Sequence, residues 1–179
     1  PKQISGENAE HLVIQQNNPS SKLRFYAYGA GQLLGVTDDF AEAVRLSYDK
    51  MGFVTDSNHQ ILWDRINRNP AKTIRDPKTA AYKLTSRLGE ITSSQAFEDV
   101  LILDARGCSL NQILYFIDKG IPVVACRPDG SYLLLYGYDQ YNVNIYDPAT
   151  QEISKMGLGD GAVYFSGANN SFLCGLKVE

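Results

Sequence analysis

Gly130 to Pro148 reads GSYLLLYGYDQYNVNIYDP. Two apolar runs flank the polar stretch Asp139-Gln140-Tyr141-Asn142, and Asp147-Pro148 closes the second. The pattern predicts a hairpin, with SYLLLYGY as one strand, DQYN as the turn and VNIY as the returning strand. Just upstream, IPVVAC (Ile121–Cys126) is a third strand joined through the turn RPDG, so three consecutive antiparallel strands form a meander. Before it, GCSLNQILYFIDKG (Gly107–Gly120) is a well-marked helix. Ser109 is placed to cap it, and Leu110, Ile113, Leu114 and Ile117 share one face. Gly120 ends it, and Pro122 stands just past that end, where a helix cannot continue. Downstream, GDGAVYFSGANNSFLCGL predicts a helical turn and a last edge strand.

Further out, residues 1–66 read as a small α+β module of hairpin, helix and hairpin. HLVIQQ (His11–Gln16) is a strand or a helix end, followed by the loop QQNNPSSK. FYAY and QLLGV flank Gly29-Ala30-Gly31 as a hairpin. Asp38 or Asp39 caps a helix whose Phe40, Val44, Tyr48 and Met51 share a face, with Gly52 as its stop. FVTD and QILW form a second hairpin around Ser57-Asn58-His59, and Trp63 is a core or interface anchor. Residues 67–79 read as a solvated linker: their basic residues have no aromatic partners. Residues 80–179 form the second unit, with a short helix from Ala80 to Leu88 ended by Gly89.

Composition narrows the function. The chain has 179 residues, 44% hydrophobic and 21% charged, so it holds enough apolar surface for a core. Its net charge of −3 excludes a broad nucleic-acid footprint, which needs a basic stripe. No apolar run reaches the roughly 18 residues of a membrane span. The chain opens on Pro1 and is read as cut from a longer protein. Its 3 cysteines, Cys108, Cys126 and Cys174, have no CxxC spacing, so neither a disulfide framework nor a zinc site is expected. Cys126 and Cys174 read as small buried hydrophobes. No metal or cofactor is expected.

The run of helix, PVV, turn, GxYLLLxGYD, turn and VxIYDP resembles the C39-like cysteine peptidase family, the papain-like fold of the bacteriocin-processing peptidases. The resemblance spans roughly residues 71–179 and is strongest over Gly120–Pro148. It implies an antiparallel papain-like sheet packed on helices, giving an α+β fold. In the family a glycine-histidine pair opens the strand written here Gly130-Ser131-Tyr132. The family's orienting carboxylate or amide ends the next strand, at Asp147. Its cysteine opens an early helix, and counting back from Gly89 lands near Asp76, with no thiol nearby. Of the three family positions only the carboxylate survives. Losing a nucleophile or base from a comparable triad costs about 10⁶ in turnover. The resemblance therefore implies a catalytically inactive domain, a binding or structural module of a larger exported, extracellular or surface-held protein of a Gram-positive bacterium.

Two alternatives stand beside it. Cys108, at a helix N-terminus that favours a thiolate, would be the nucleophile of an active hydrolase with His59 or His11 displaced from the other module. A module that binds peptide in the old cleft without cutting it is the other. Tyr132, Tyr136 and Tyr138 share parity, so along a regular strand they line one face, either as a peptide or protein surface or as a half-buried sheet face. Ser131 and Asp147 are expected at one end of the sheet, facing the helix near residues 76–88.

Overall fold

The computed structural model describes residues 23–65, 94–96 and 100–177. The HLVIQQ element, the 67–79 linker, Asp76 and the Ala80–Leu88 helix lie outside the described residues. The fold is α+β, with two antiparallel sheets and, among the described residues, three helices.

β1 (Phe25–Gly29) and β2 (Gln32–Thr37) form a hairpin. Its turn residues Ala30 and Gly31 both take positive φ, 51° and 76°, the primed turn whose twist matches the flanking strands. Helix α1 (Phe40–Tyr48) starts at Asp39, whose side chain accepts from the Ala41 and Glu42 N–H groups at 3.0 and 3.4 Å. Phe40, Ala43 and Val44 are buried on its inner face. Met51 does not continue that face. It lies past the helix end, 68% exposed, and takes the left-handed φ of 52° expected of the stop glycine. Gly52 serves a different need: a Cβ there would sit 1.8 Å from the Tyr28 carbonyl oxygen. Its bare Cα lets the chain pass close to β1 and enter β3 (Phe53–Thr55), which pairs with β1, while β4 (Ile61–Asp64) pairs with β3. The order is β2-β1-β3-β4.

The second sheet comprises β5 (Gln95–Ala96), β6 (Val100–Asp104), β7 (Val123–Cys126), β8 (Tyr132–Tyr138), β9 (Asn142–Asp147), β10 (Glu152–Gly157) and β11 (Phe172–Lys177). Its order is β10-β9-β8-β7-β11-β6-β5. The meander is as expected and gains β10, a strand the apolar pattern does not signal. The last strand is not an edge: β11 pairs with both β6 and β7. Helix α2 (Leu110–Asp118) carries a full capping box. The Gln112 N–H donates to Ser109 Oγ at 3.3 Å, and the Ser109 N–H donates to Gln112 Oε1 at 2.9 Å, a pair worth about 1 kcal/mol. Helix α3 (Leu158–Gly167) follows β10 directly.

One face of the large sheet, through Leu133, Leu135, Val143 and Ile145, joins α2 in a core that also holds Phe25, Phe40, Val54 and Trp63 of the small sheet's half. α2 makes the junction. The Phe40 and Phe116 rings lie 5.9 Å apart, and the Trp63 indole N–H donates to the Gln112 carbonyl at 2.9 Å. The opposite face of the large sheet is apolar as well. Val124, Leu134 and Tyr146 are register neighbours across it and no more than 5% exposed. Burial on both faces explains why β8 reads as an unbroken apolar run instead of an alternating one.

Candidate functional site

The corner that holds Ser131 is built by the RPDG turn. The Arg127 N–H donates to the Ser131 carbonyl at 2.7 Å, and Gly130, at φ 84°, turns the chain. Asp129 folds over the strand entry and accepts from the Ser131 N–H at 2.9 Å and from Ser131 Oγ at 2.6 Å. Those bonds, the hydroxyl first, hold the Asp129 carboxyl below its usual range. Such a carboxylate is a poor base, so the short contact does not activate Ser131 as a nucleophile.

Asp147 ends β9 at the same end of the sheet. Its carboxylate forms an ion pair with the Arg127 guanidinium and accepts from the Ala149 N–H at 2.9 Å. Desolvation works to raise its pKa, but the Arg127 hydrogen bond, the Ala149 N–H and the Arg127 charge outweigh it and hold the carboxyl below its usual range. Arg127 thus bridges both positions, through its backbone to Ser131 and through its side chain to Asp147. A guanidinium always carries its protons and cannot serve as a general base.

Cys108 lies in the turn before α2, 1% exposed. Burial, with added repulsion from Asp39 and Asp104, pushes its thiol up to about 12. A thiol held there stays protonated at neutral pH, the reverse of an activated nucleophile. The helix N-terminus does not offset the loss of solvent. His59 is exposed in the β3–β4 turn at φ 63°, with its backbone N–H on the Asp56 carbonyl at 3.2 Å. No hydrogen bond joins Cys108 to His59; the structure does not bring the pair together. Cys174 is fully buried and its thiol is raised well above the ordinary value, by burial first and then by Cys108 and Asp104. Cys126 departs from the expectation of full burial. It is half-buried at the end of β7, its thiol raised by burial against the opposing charge of Arg106.

The three tyrosines of β8 do not share a face. Leu135 pairs with Ile145 and Gly137 with Asn144, so Tyr136 is the extra residue of a β-bulge. The bulge inverts the alternation beyond it. Tyr138 falls opposite Val143 on the core face, 1% exposed, and its hydroxyl donates to Asp118 Oδ1 at 3.1 Å. Tyr132 is 37% exposed at the strand entry, and Tyr136 is 8% exposed. The bulge therefore leaves these tyrosines without a common face along the strand.

A pocket of about 510 Å³ lies elsewhere, where the ends of α1 and β4 meet α2. Asn111, Tyr115 and Asp118, spaced i, i+4 and i+7, line it from one stripe of α2. Opposite stand Tyr48, Trp63, Asp64 and Arg65. The Asn111 amide donates to the Tyr48 hydroxyl at 2.8 Å across the rim. The sequence signal for this site is faint, because its two walls are distant in the chain. Only the α2 stripe, polar on a helix otherwise apolar, points to it. Among the described residues, no group of three His, Cys, Asp or Glu side chains is placed to hold a metal ion, and no helix is long and apolar enough to cross a membrane.

Comparison with known proteins yields no match to the chain among protein-family models, curated proteins or solved structures.

Proposed function

We propose that this chain is a catalytically inactive, C39-like peptidase domain that works as a binding module of a larger exported bacterial protein. The observation that carries the reading is the Asp147–Arg127 ion pair. The carboxylate that would orient an imidazole is committed to a guanidinium, and Ser131, where the histidine would stand, is tied to Asp129. The raised Cys108 thiol speaks against a displaced nucleophile. The open pocket between α1, β4 and α2 favours binding, without cleavage, over a purely structural role.

The test is hydrolysis of unfolded casein and of fluorogenic peptides under reducing conditions at neutral pH. The chain and its Ser131→His variant should both match the enzyme-free blank, because no thiol is available to the restored imidazole. Turnover that disappears in Cys108→Ala would overturn the proposal.

A further inference from the structure

Two carboxylates line the pocket between α1, β4 and α2. Asp64 stands on one wall and Asp118 on the other. Both act on the Tyr115 phenol between them, whose pKa is raised by burial first and then by these two carboxylates. Among the described lining residues, Arg65 is the cation. Arg65 is also engaged elsewhere. Its guanidinium stacks 4.2 Å above the Tyr48 ring and donates to the Tyr48 carbonyl. Among the described residues, no side chain bonds to the Asp64 carboxylate. A cation would therefore find, at Asp64, a carboxylate that no described side chain neutralises.

The walls suit the same class of ligand. Trp63 sits between Tyr48 and Tyr115, each ring centroid 6.2 Å from the indole, with interplanar angles of 38° and 56°. The protein already lays its own cations on two of these rings, Arg65 on Tyr48 and Lys119, at 5.6 Å, on Tyr115. Aromatic walls attract alkylammonium and guanidinium groups and pack along an alkyl stem at the same time. The volume of about 510 Å³ accommodates one long side chain, with its peptide backbone lying across the mouth.

We propose that this pocket takes the basic side chain, lysine or arginine, of a peptide, with the cationic head against Asp64 and the alkyl stem along Leu114 and Tyr115. The assignment rests on the reading of the chain as a binding module and supplies its ligand class. The shared chemistry is an alkyl chain ending in a cation, which a free amine also has, so the test separates the two sources.

Trp63 is the chain's 1 tryptophan and a wall of the pocket, so its emission reports occupancy. The chain is titrated with Nα-acetyl-lysine methylamide and Nα-acetyl-arginine methylamide, against Nα-acetyl-norleucine methylamide and n-butylamine as controls. The lysine or arginine amide should give a saturable shift. Norleucine should give none, and butylamine should bind roughly fivefold or more weaker for want of peptide contacts. Asp64→Asn should weaken the basic amides roughly tenfold with the melting temperature unchanged. Silence from both basic amides, equal binding of norleucine, or full affinity in Asp64→Asn would overturn the site. Equal binding of butylamine would overturn the peptide as the carrier. Hydrolysis of peptide substrates would sink the inactive-module reading and leave this site standing, so the two failures are distinguishable.

Discussion

Replacing Trp63 with alanine tests whether the two sheets stand on one core. The indole is 2% exposed, packs between Tyr48 and Tyr115, and donates to a carbonyl of α2. A buried tryptophan removes roughly 200 Å² from water, about 5 kcal/mol at 25 cal/mol per Å². Discounting for a denatured chain that is itself partly collapsed leaves about 3–4.5 kcal/mol. The lost hydrogen bond adds about 1 kcal/mol. The expected loss of about 4–5.5 kcal/mol lies at the upper end of the usual cost, about 3–5 kcal/mol, of truncating a buried aromatic side chain to alanine. For a chain of this size it lowers the melting temperature by roughly 8–22 °C. Urea unfolding followed by far-UV circular dichroism measures the total, and amide hydrogen exchange shows where it falls. Exchange in β8 and β9 should accelerate together with exchange in β1 and β3, because α2 packs against both sheets. If β8 and β9 kept wild-type protection while the β1–β4 half opened, the two halves would be independent and the shared core would be refuted.

Gly52→Ala should cost about 3 kcal/mol, because the new Cβ meets the Tyr28 backbone at 1.8 Å and β1 and β3 must part. Gly159→Ala, with open space around it, should be neutral or slightly stabilising in the same thermal melt. Asp139 governs part of the acid limb. It accepts from the Tyr141 and Asn142 N–H groups and from Lys155, and these bonds hold its carboxyl at about 2 against an ordinary 3.8. A depressed folded-state pKa means that the stabilisation is full above the unfolded value and fades as pH falls from 3.8 toward 2. Asp139→Asn should lower stability at pH 7 and flatten that loss in urea melts between pH 5 and 2; an unchanged acid limb would refute the assignment. High salt should reduce the Lys155 part of the effect, since that pair is exposed.

What the sequence disclosed, and what it hid, follows from the range of the interactions. Ser109, Leu110, Ile113, Leu114, Ile117 and Gly120 mark α2 because capping and helical periodicity are local, and the structure places each as expected. The DQYN turn was legible because Asp139 bonds only to residues a few places on and to its β10 neighbour Lys155. The bulge at Tyr136 was not legible, because nothing in YLLLYGY separates a regular strand from one with an extra residue. That single insertion moved Tyr138 from an imagined ligand surface into the core. β11 was recognised as a strand but misplaced, since insertion between β6 and β7 depends on pairing with strands far apart in sequence. The environment of Cys108 was hidden for a related reason. Its helix-entry position is local, whereas its burial comes from elements that converge only in the fold. The pocket was missed altogether, because Trp63 meets Gln112 across a separation of 49 residues.

The central claim, that no thiol of this domain is poised for catalysis, is tested most directly by the pH dependence of Cys108 alkylation. Limiting iodoacetamide is applied to the folded chain from pH 6 to 10, and the peptide carrying Cys108 is quantified by mass spectrometry. A thiol held at about 12 should label slowly, with no inflection in this range, and labelling should accelerate strongly once urea unfolds the chain. Rapid labelling of folded Cys108 with an apparent pKa below about 8.5 would contradict the claim and favour the reading of Cys108 as a hydrolase nucleophile.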